Sequence, residues 1–296
     1  MPNLQGIRRR IRSVKNMRQI TKAMKLVSAS KLARAQGRIV AARPYSRKLR
    51  EMLNNLASRA GEYQHSLMEI RGDERYLVVL ITSDKGLCGA FNTYLLKTAL
   101  QFVKDNPNKQ IDFLCIGRKA RDFVRRRNFS VANEYVGLVS KAVTYIQGSE
   151  IGGEVIKLFT EEVDGKPRPD KVFILYNEFK SAIQQNQIFN QILPLTSINP
   201  QGEVDYKMAA SATDYIYEQP PGEILSRLLP HYVETQIFTA LLDSVAAEHG
   251  ARMSAMDSAS KNATEVINKL TLGMNRVRQA AITREIIEVV SGAAAL

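Results

Sequence analysis

Residues 231–296 read HYVETQIFTALLDSVAAEHGARMSAMDSASKNATEVINKLTLGMNRVRQAAITREIIEVVSGAAAL, without a single proline. Apolar or small side chains recur from Tyr232, Thr235 and Phe238 through His249, Met256, Ala263 and Ile267 to Val277 and Ala281. Their step is near 3.5 residues, the repeat that keeps one stripe of a helix facing a partner helix. At about 1.5 Å per residue such a helix is roughly 100 Å long. No small central domain covers a seam of that length, so a second long helix is required.

The N-terminal zone, residues 3–59, supplies it. No proline falls between Pro2 and Pro44, and Leu4, Ile7, Ile11, Val14, Met17, Ile20, Met24 and Val27 recur at helical spacing. Pro44 predicts a bend, because its ring removes one backbone hydrogen bond and crowds the preceding turn. Fifteen of the chain's 42 Lys and Arg lie in its first fifty residues, and the first acid is Glu51. That leaves 27 cations against all 29 acids in the remainder, so the net charge of +13 belongs to this one segment. Cations near a helix N-terminus oppose the macrodipole. Helix stability does not account for them, and the charge predicts an acidic partner.

Between the two zones the pattern changes. Tyr76–Thr82, Ile111–Ile116 and Lys171–Phe179 are short runs rich in Val, Ile and aromatics, as buried strands are. A weaker strand is expected at Ser130–Tyr135 and an alternating one at Gln187–Leu195, with helices near 90–104, 118–127 and 141–162. Strands alternating with helices predict a small Rossmann-like α/β domain with a largely parallel sheet. The expected organisation is 1–59 helix, 75–197 central domain, 198–222 linker or foot, and 223–296 helix. The fold class is α/β: a long antiparallel two-helix coiled coil of the terminal helices, plus the central domain. The small, nearly uncharged tail Ser291–Leu296 suits a smooth sleeve, or simply frays.

The candidate chemistry is sparse. Thr82–Asn92 follows the first strand where phosphate loops sit, but its Lys85 precedes Gly86 and the phosphate-loop spacing is missing. Gly86 and Gly89 are read as turn residues needing positive φ, with Asp84 and Lys85 as exposed contacts. Cys88 and Cys115 read as reduced thiols, and with His65, His231 and His249 they make no metal-ligand spacing. No apolar run approaches the roughly 20 residues that span a bilayer. For the basic helix, a nucleic-acid reader is the alternative. It lacks interleaved aromatics before Tyr45 and has no recognition module around it. A membrane-surface helix lacks bulky anchors.

Residues 6–16 (GIRRRIRSVKN) with 20–27 (ITKAMKLV) resemble the N-terminal helix of the gamma subunits of F-type ATP synthases. Residues 84–89 (DKGLCG), 278–285 (RQAAITRE) and 291–294 (SGAA) are similar to the same family. The resemblance is nearly full-length, and it implies a central rotor stalk. A coiled coil would turn inside a hexamer of alpha and beta subunits, with head and foot joined to the epsilon subunit and the ring of c subunits. ATP, ADP and Mg would bind the alpha and beta subunits; no catalytic residue, cofactor or metal is expected on this chain. By the resemblance Met24, with Lys22 and Lys25, faces an acidic lever of a beta subunit. Arg278, Gln279 and Thr283 meet a beta catch loop, and Arg252 and Glu288, beta-subunit contacts on the same helix, tune coupling. Asp84, Lys85 and Cys88 form a central-loop contact, and Asp214, Tyr215, Tyr217 and Glu218 lie at the foot towards epsilon and the c ring. Without a plastid-type redox insertion or an organelle presequence before the matching motif, the expected setting is peripheral, on the cytoplasmic side of a bacterial plasma membrane.

Overall fold

The apolar run after Arg75 forms the middle strand of a five-stranded sheet. The computed structural model describes residues 4–59, 65–138, 143–163, 165, 167–182, 184–195 and 219–294. In chain order the elements are α1 (Leu4–Arg59), a 3-10 turn (Ser66–Met68), β1 (Arg75–Ile81), α2 (Phe91–Asp105), β2 (Gln110–Ile116) and α3 (Arg118–Arg126), then β3 (Ser130–Tyr135), α4 (Tyr145–Thr160), β4 (Lys171–Phe179), β5 (Gln185–Leu193) and α5 (Pro221–Ala294).

The sheet order is β3-β2-β1-β4-β5, parallel throughout except for β5, which runs antiparallel to β4. Parallel pairs need crossovers, and α2, α3 and α4 provide them. Helices then cover the sheet, so central strands read as continuous apolar runs. Residues 76–81 of β1 are all buried, whereas the edge strand β3 is half-buried along most of its length. Tyr76, Phe102, Phe173 and Phe189 pack ring against ring, at centroid distances of 4.6 to 5.8 Å. The start of α4 is set by a capping box: the Thr144 amide donates to Gln147 Oε1 at 3.0 Å.

The chain forms two compact units, one of Met1–Ser30 with Arg252–Leu296 and one of Lys31–Ala251. The boundaries expected from chain order follow element ends; compactness divides both terminal helices instead, because residues 31–59 and 221–251 pack with the sheet domain. In that larger unit the two helices run antiparallel. Ser46 meets Thr239 at 3.4 Å, Arg43 faces Asp243, and Arg50 faces Tyr232. Residues 240–248 of α5 are buried on every side. Pro44 and Pro230 both lie inside continuous helices.

The seam of α1 differs from the one expected. Leu32, Ala35, Ile39, Leu49, Leu53 and Leu56 are buried at heptad spacing. In the smaller unit the buried positions are Ile11, Thr21 and Ser28, while Met17, Ile20 and Val27 are each 57% exposed. Stepping back by sevens from Ser28 and Leu32 reaches Thr21 and Lys25; Ile20 and Met24 fall one residue, about 100°, to the side. Ile11 thus keeps its expected place in the buried seam and Leu4, Ile7, Val14 and Met24 are half-buried, while Met17, Ile20 and Val27 face outwards beside it. On α5, Met256, Ala263 and Ile267 are buried as expected.

Candidate functional site

Thr82, Ser83 and Asp84 end β1 and meet the first turn of α3. A helix leaves its first amides without internal partners, and this loop takes three of them. Arg118 N donates to Asp84 Oδ1 at 3.0 Å, Lys119 N to the Ser83 carbonyl at 3.2 Å and Ala120 N to Thr82 Oγ1 at 2.8 Å. Gly137 N also donates to Asp84 Oδ1, at 3.0 Å, so one carboxylate joins the ends of β1, β2 and β3. Asp84 thus occupies a helix start where a bound anion would otherwise be held. It is 8% exposed rather than the surface contact expected, because its Oδ1 is drawn inward as the shared acceptor of the Arg118 and Gly137 amides. Gly117, at φ 94°, brings the chain against Thr82 so closely that a Cβ would overlap the Thr82 carbonyl.

Cys88 is buried as well, against the expected contact role; Asn92 Nδ2 lies 3.2 Å from its sulfur. Burial pushes the Cys115 thiol up to about 12. Lys85 is exposed, as expected. The left-handed residues of the loop are Leu87 (φ 63°) and Gly89 (φ 57°), not Gly86. Leu87 is itself exposed, so the turn presents an apolar side chain.

In the smaller unit, Lys22 is exposed, Met24 and Lys25 are half-buried, and Lys25 pairs with Asp257 at 2.6 Å. Lys25 and Lys261 hold the Asp257 carboxyl below the usual carboxylate range. Arg252 is 8% exposed and shares a face with Met256, Ala263 and Ile267, so it serves the seam. Arg278, Gln279, Thr283 and Glu288 are all exposed; the Thr283 hydroxyl donates to the Gln279 carbonyl at 3.0 Å. Every residue of 278–291 is exposed, and Ile282, Ile286, Ile287, Val289 and Val290 are 48% to 71% so. Apolar side chains displayed around a whole helix mark a surface that another protein covers. Asp214, Tyr215, Tyr217 and Glu218 lie outside the described residues.

One feature missed in the sequence is Asp243, buried between α1 and β4. Burial first, then the Glu178 carboxylate, push its carboxyl up to about 7, against the Arg43 cation and the Phe179 amide. A lone acid inside the apolar stretch IFTALLDSVAA, residues 237–247, was its signal.

The ATP synthase family model matches residues 3–296. The ATP synthase gamma chain of Solibacter usitatus is 50% identical over 300 residues, covering 100% of this chain and 99% of the relative. Among solved structures, a chain of the central stalk and c-ring of Tetrahymena thermophila mitochondrial ATP synthase is 25% identical with a TM-score of 0.60, covering 81% of this chain and 99% of that one. A chain of the rotor of Euglena gracilis mitochondrial ATP synthase has a TM-score of 0.65 at 18% identity, covering 94% and 98%.

Proposed function

The chain belongs to the ATP synthase gamma-chain family, and from that premise we propose how its surfaces are used within the central stalk. The stalk couples ion-driven rotation to the conformational cycle that makes or hydrolyses ATP. A rotating shaft selects among conformations of its surroundings only if it touches each differently. The two terminal helices are unlike in charge and in exposed side chains, and so provide that asymmetry.

The observation that carries this reading is the fully exposed end of α5, residues 278–291, with its five bare Ile and Val side chains. Such a helix end needs a protein sleeve, here the ring of alternating alpha and beta subunits. Within it Met24 and Lys22 face an acidic beta lever, with Lys25 shared between that lever and Asp257. Arg278, Gln279 and Thr283 meet the beta catch loop, and Glu288 lies beyond them. Arg252 acts through the seam rather than by direct contact. Lys85 is the exposed contact of the central loop, held in place by Asp84 and Cys88. Asp214, Tyr215, Tyr217 and Glu218 are assigned to the foot, towards epsilon and the c ring. Nucleotides and Mg bind the alpha and beta subunits, and the chain is held peripherally at the cytoplasmic face of the membrane by the complex. No described helix is long and apolar enough to cross a membrane. Family membership displaces the nucleic-acid reading of the basic helix: its cations serve an acidic protein surface.

Reconstitution tests this. Purified chain mixed with alpha and beta subunits should yield a stoichiometric complex whose ATP hydrolysis rises well above that of the mixture lacking it. Hydrolysis independent of the chain, or turnover by the chain alone, would overturn the assignment.

A further inference from the structure

Within the larger unit the sheet domain reaches α5 by two routes of different packing. On the β4–β5 side a cavity of about 130 Å³ opens between α1, α5 and the sheet, lined by Arg50, Tyr176, Gln191, Tyr232 and Thr235 among others. The pocket opens to solvent, so side-chain packing between the sheet and α5 is incomplete there, although Gly250 meets Ala182 and Phe179 further along, at 3.3 to 3.4 Å from a Cβ. On the other side lies α4. Gly148 and Gly152, four residues apart and so on one helix face, meet Phe238 and Glu234, four residues apart on α5. A Cβ at 148 would stand 2.7 Å from Phe238 Cβ and 3.1 Å from its Cα. At 152 it would stand 2.8 Å from both Cα and Cγ of Glu234. Neither position has room for a methyl group.

Tyr145, one turn earlier on α4, fixes the register. Its hydroxyl donates to Glu234 Oε2 at 3.1 Å, and its ring meets Phe238 edge-on, centroids 5.5 Å apart. His231 Nδ1 lies 3.2 Å from the same Glu234 oxygen. The α4–α5 contact is therefore backbone-close, locked by an aromatic pair, and continued into a polar chain.

We propose that the Gly148–Phe238 and Gly152–Glu234 contacts are the stiff joint through which force on the sheet domain passes into α5. The inference rests on the rotor reading. These are positioning residues: none meets nucleotide, and each acts by fixing one helix on the other. Widening the joint lets the sheet domain turn before α5 follows. Work is then lost between ion flow and ATP, although hydrolysis itself continues.

The test uses the assembled ATP synthase in membrane vesicles. Gly148→Ala with Gly152→Ala should leave ATP hydrolysis near wild type and lower ATP-driven ion pumping per ATP at least about fivefold, since each added methyl overpacks the contact. A second variant, Gly152→Cys with Glu234→Cys, is assembled oxidised and then reduced. A Cβ at 152 lies 3.2 Å from that of Glu234, within a few tenths of an ångström of the usual disulfide spacing of about 3.5 to 4.5 Å. The buried Cys88 and Cys115 do not compete. Reduced, this variant should pump poorly; oxidised, it should recover. Pumping by the reduced form equal to wild type, or no recovery on oxidation, overturns the joint and leaves the rotor reading standing. A wild-type complex that hydrolyses ATP without pumping overturns both.

Discussion

Lys25 Nζ lies 2.6 Å from Asp257 Oδ1, and Lys261 lies 3.0 Å from the other oxygen of that carboxylate, so the cation of Lys25 already has an acid within its own chain. Met24, its neighbour, carries none. Met24→Lys adds a charge that the seam does not neutralise and that an acidic lever opposite would bind. At roughly 1 kcal/mol for one such pair, the balance between rotor positions shifts up to about fivefold. Hydrolysis should persist while ion pumping per ATP falls in membrane vesicles. An unchanged ratio would remove the acidic lever from this position.

Asp243 predicts a pH dependence with a definite sign. Its carboxyl titrates near 7 when folded, against the ordinary value of 3.8 when unfolded. Glu178 opposes its ionisation, while Arg43 and the Phe179 amide favour it. The folded state therefore holds the extra proton, and this group's contribution to stability is full below pH 3.8 and is lost as pH rises to about 7. Asp243→Asn should flatten that decline and stabilise the chain at alkaline pH by up to about 4 kcal/mol. Denaturant melts of the full chain at acid and alkaline pH would show it. Equal slopes for both proteins would place Asp243 in water rather than in the core.

The middle strand β1 was legible because both its faces are covered, so its apolar residues run on without alternation; the bounds Lys171–Phe179 were also legible, although burial alternates along β4. β5 was placed two residues late: its first residues, Gln185 and Asn186, are polar and half-buried, and only pairing with Phe179 and Glu178 reveals them. The seam of α1 was misread for the opposite reason. Met17, Ile20 and Val27 are apolar yet exposed, so equating apolar with buried fails there. Asp84 was read as exposed because an acid in a loop usually is. What buries it is a demand from another element, the unpaired first amides of α3, which leaves no local mark in residues 82–92.

Removing that carboxylate has a bounded cost. Asp84→Ala strips the acceptor from Arg118 N and Gly137 N together. Losing this charged acceptor at two part-buried amides should cost about 2 to 4 kcal/mol. Hydrogen exchange should quicken first at 118 and 137, at the ends of β2 and β3. Global loosening without local onset there would mean that the carboxylate does not hold the strand ends together.

Glycines at two nearby places should respond oppositely to the same change. Gly117 sits at φ 94° with the Thr82 carbonyl where its Cβ would go, so Gly117→Ala must move β1 from β2 or rotate a strained turn. Overpacking and left-handed strain together should cost about 3 kcal/mol or more. Gly153 is exposed within α4 with nothing within 4 Å of a Cβ, although its neighbour Gly152 is tightly enclosed. Gly153→Ala should therefore stabilise the chain by about 0.5 to 1 kcal/mol through helix propensity and a less disordered unfolded state. Denaturant melts of both variants decide it. A loss at Gly153 comparable to that at Gly117 would mean that α4 meets a neighbour on its outer face too.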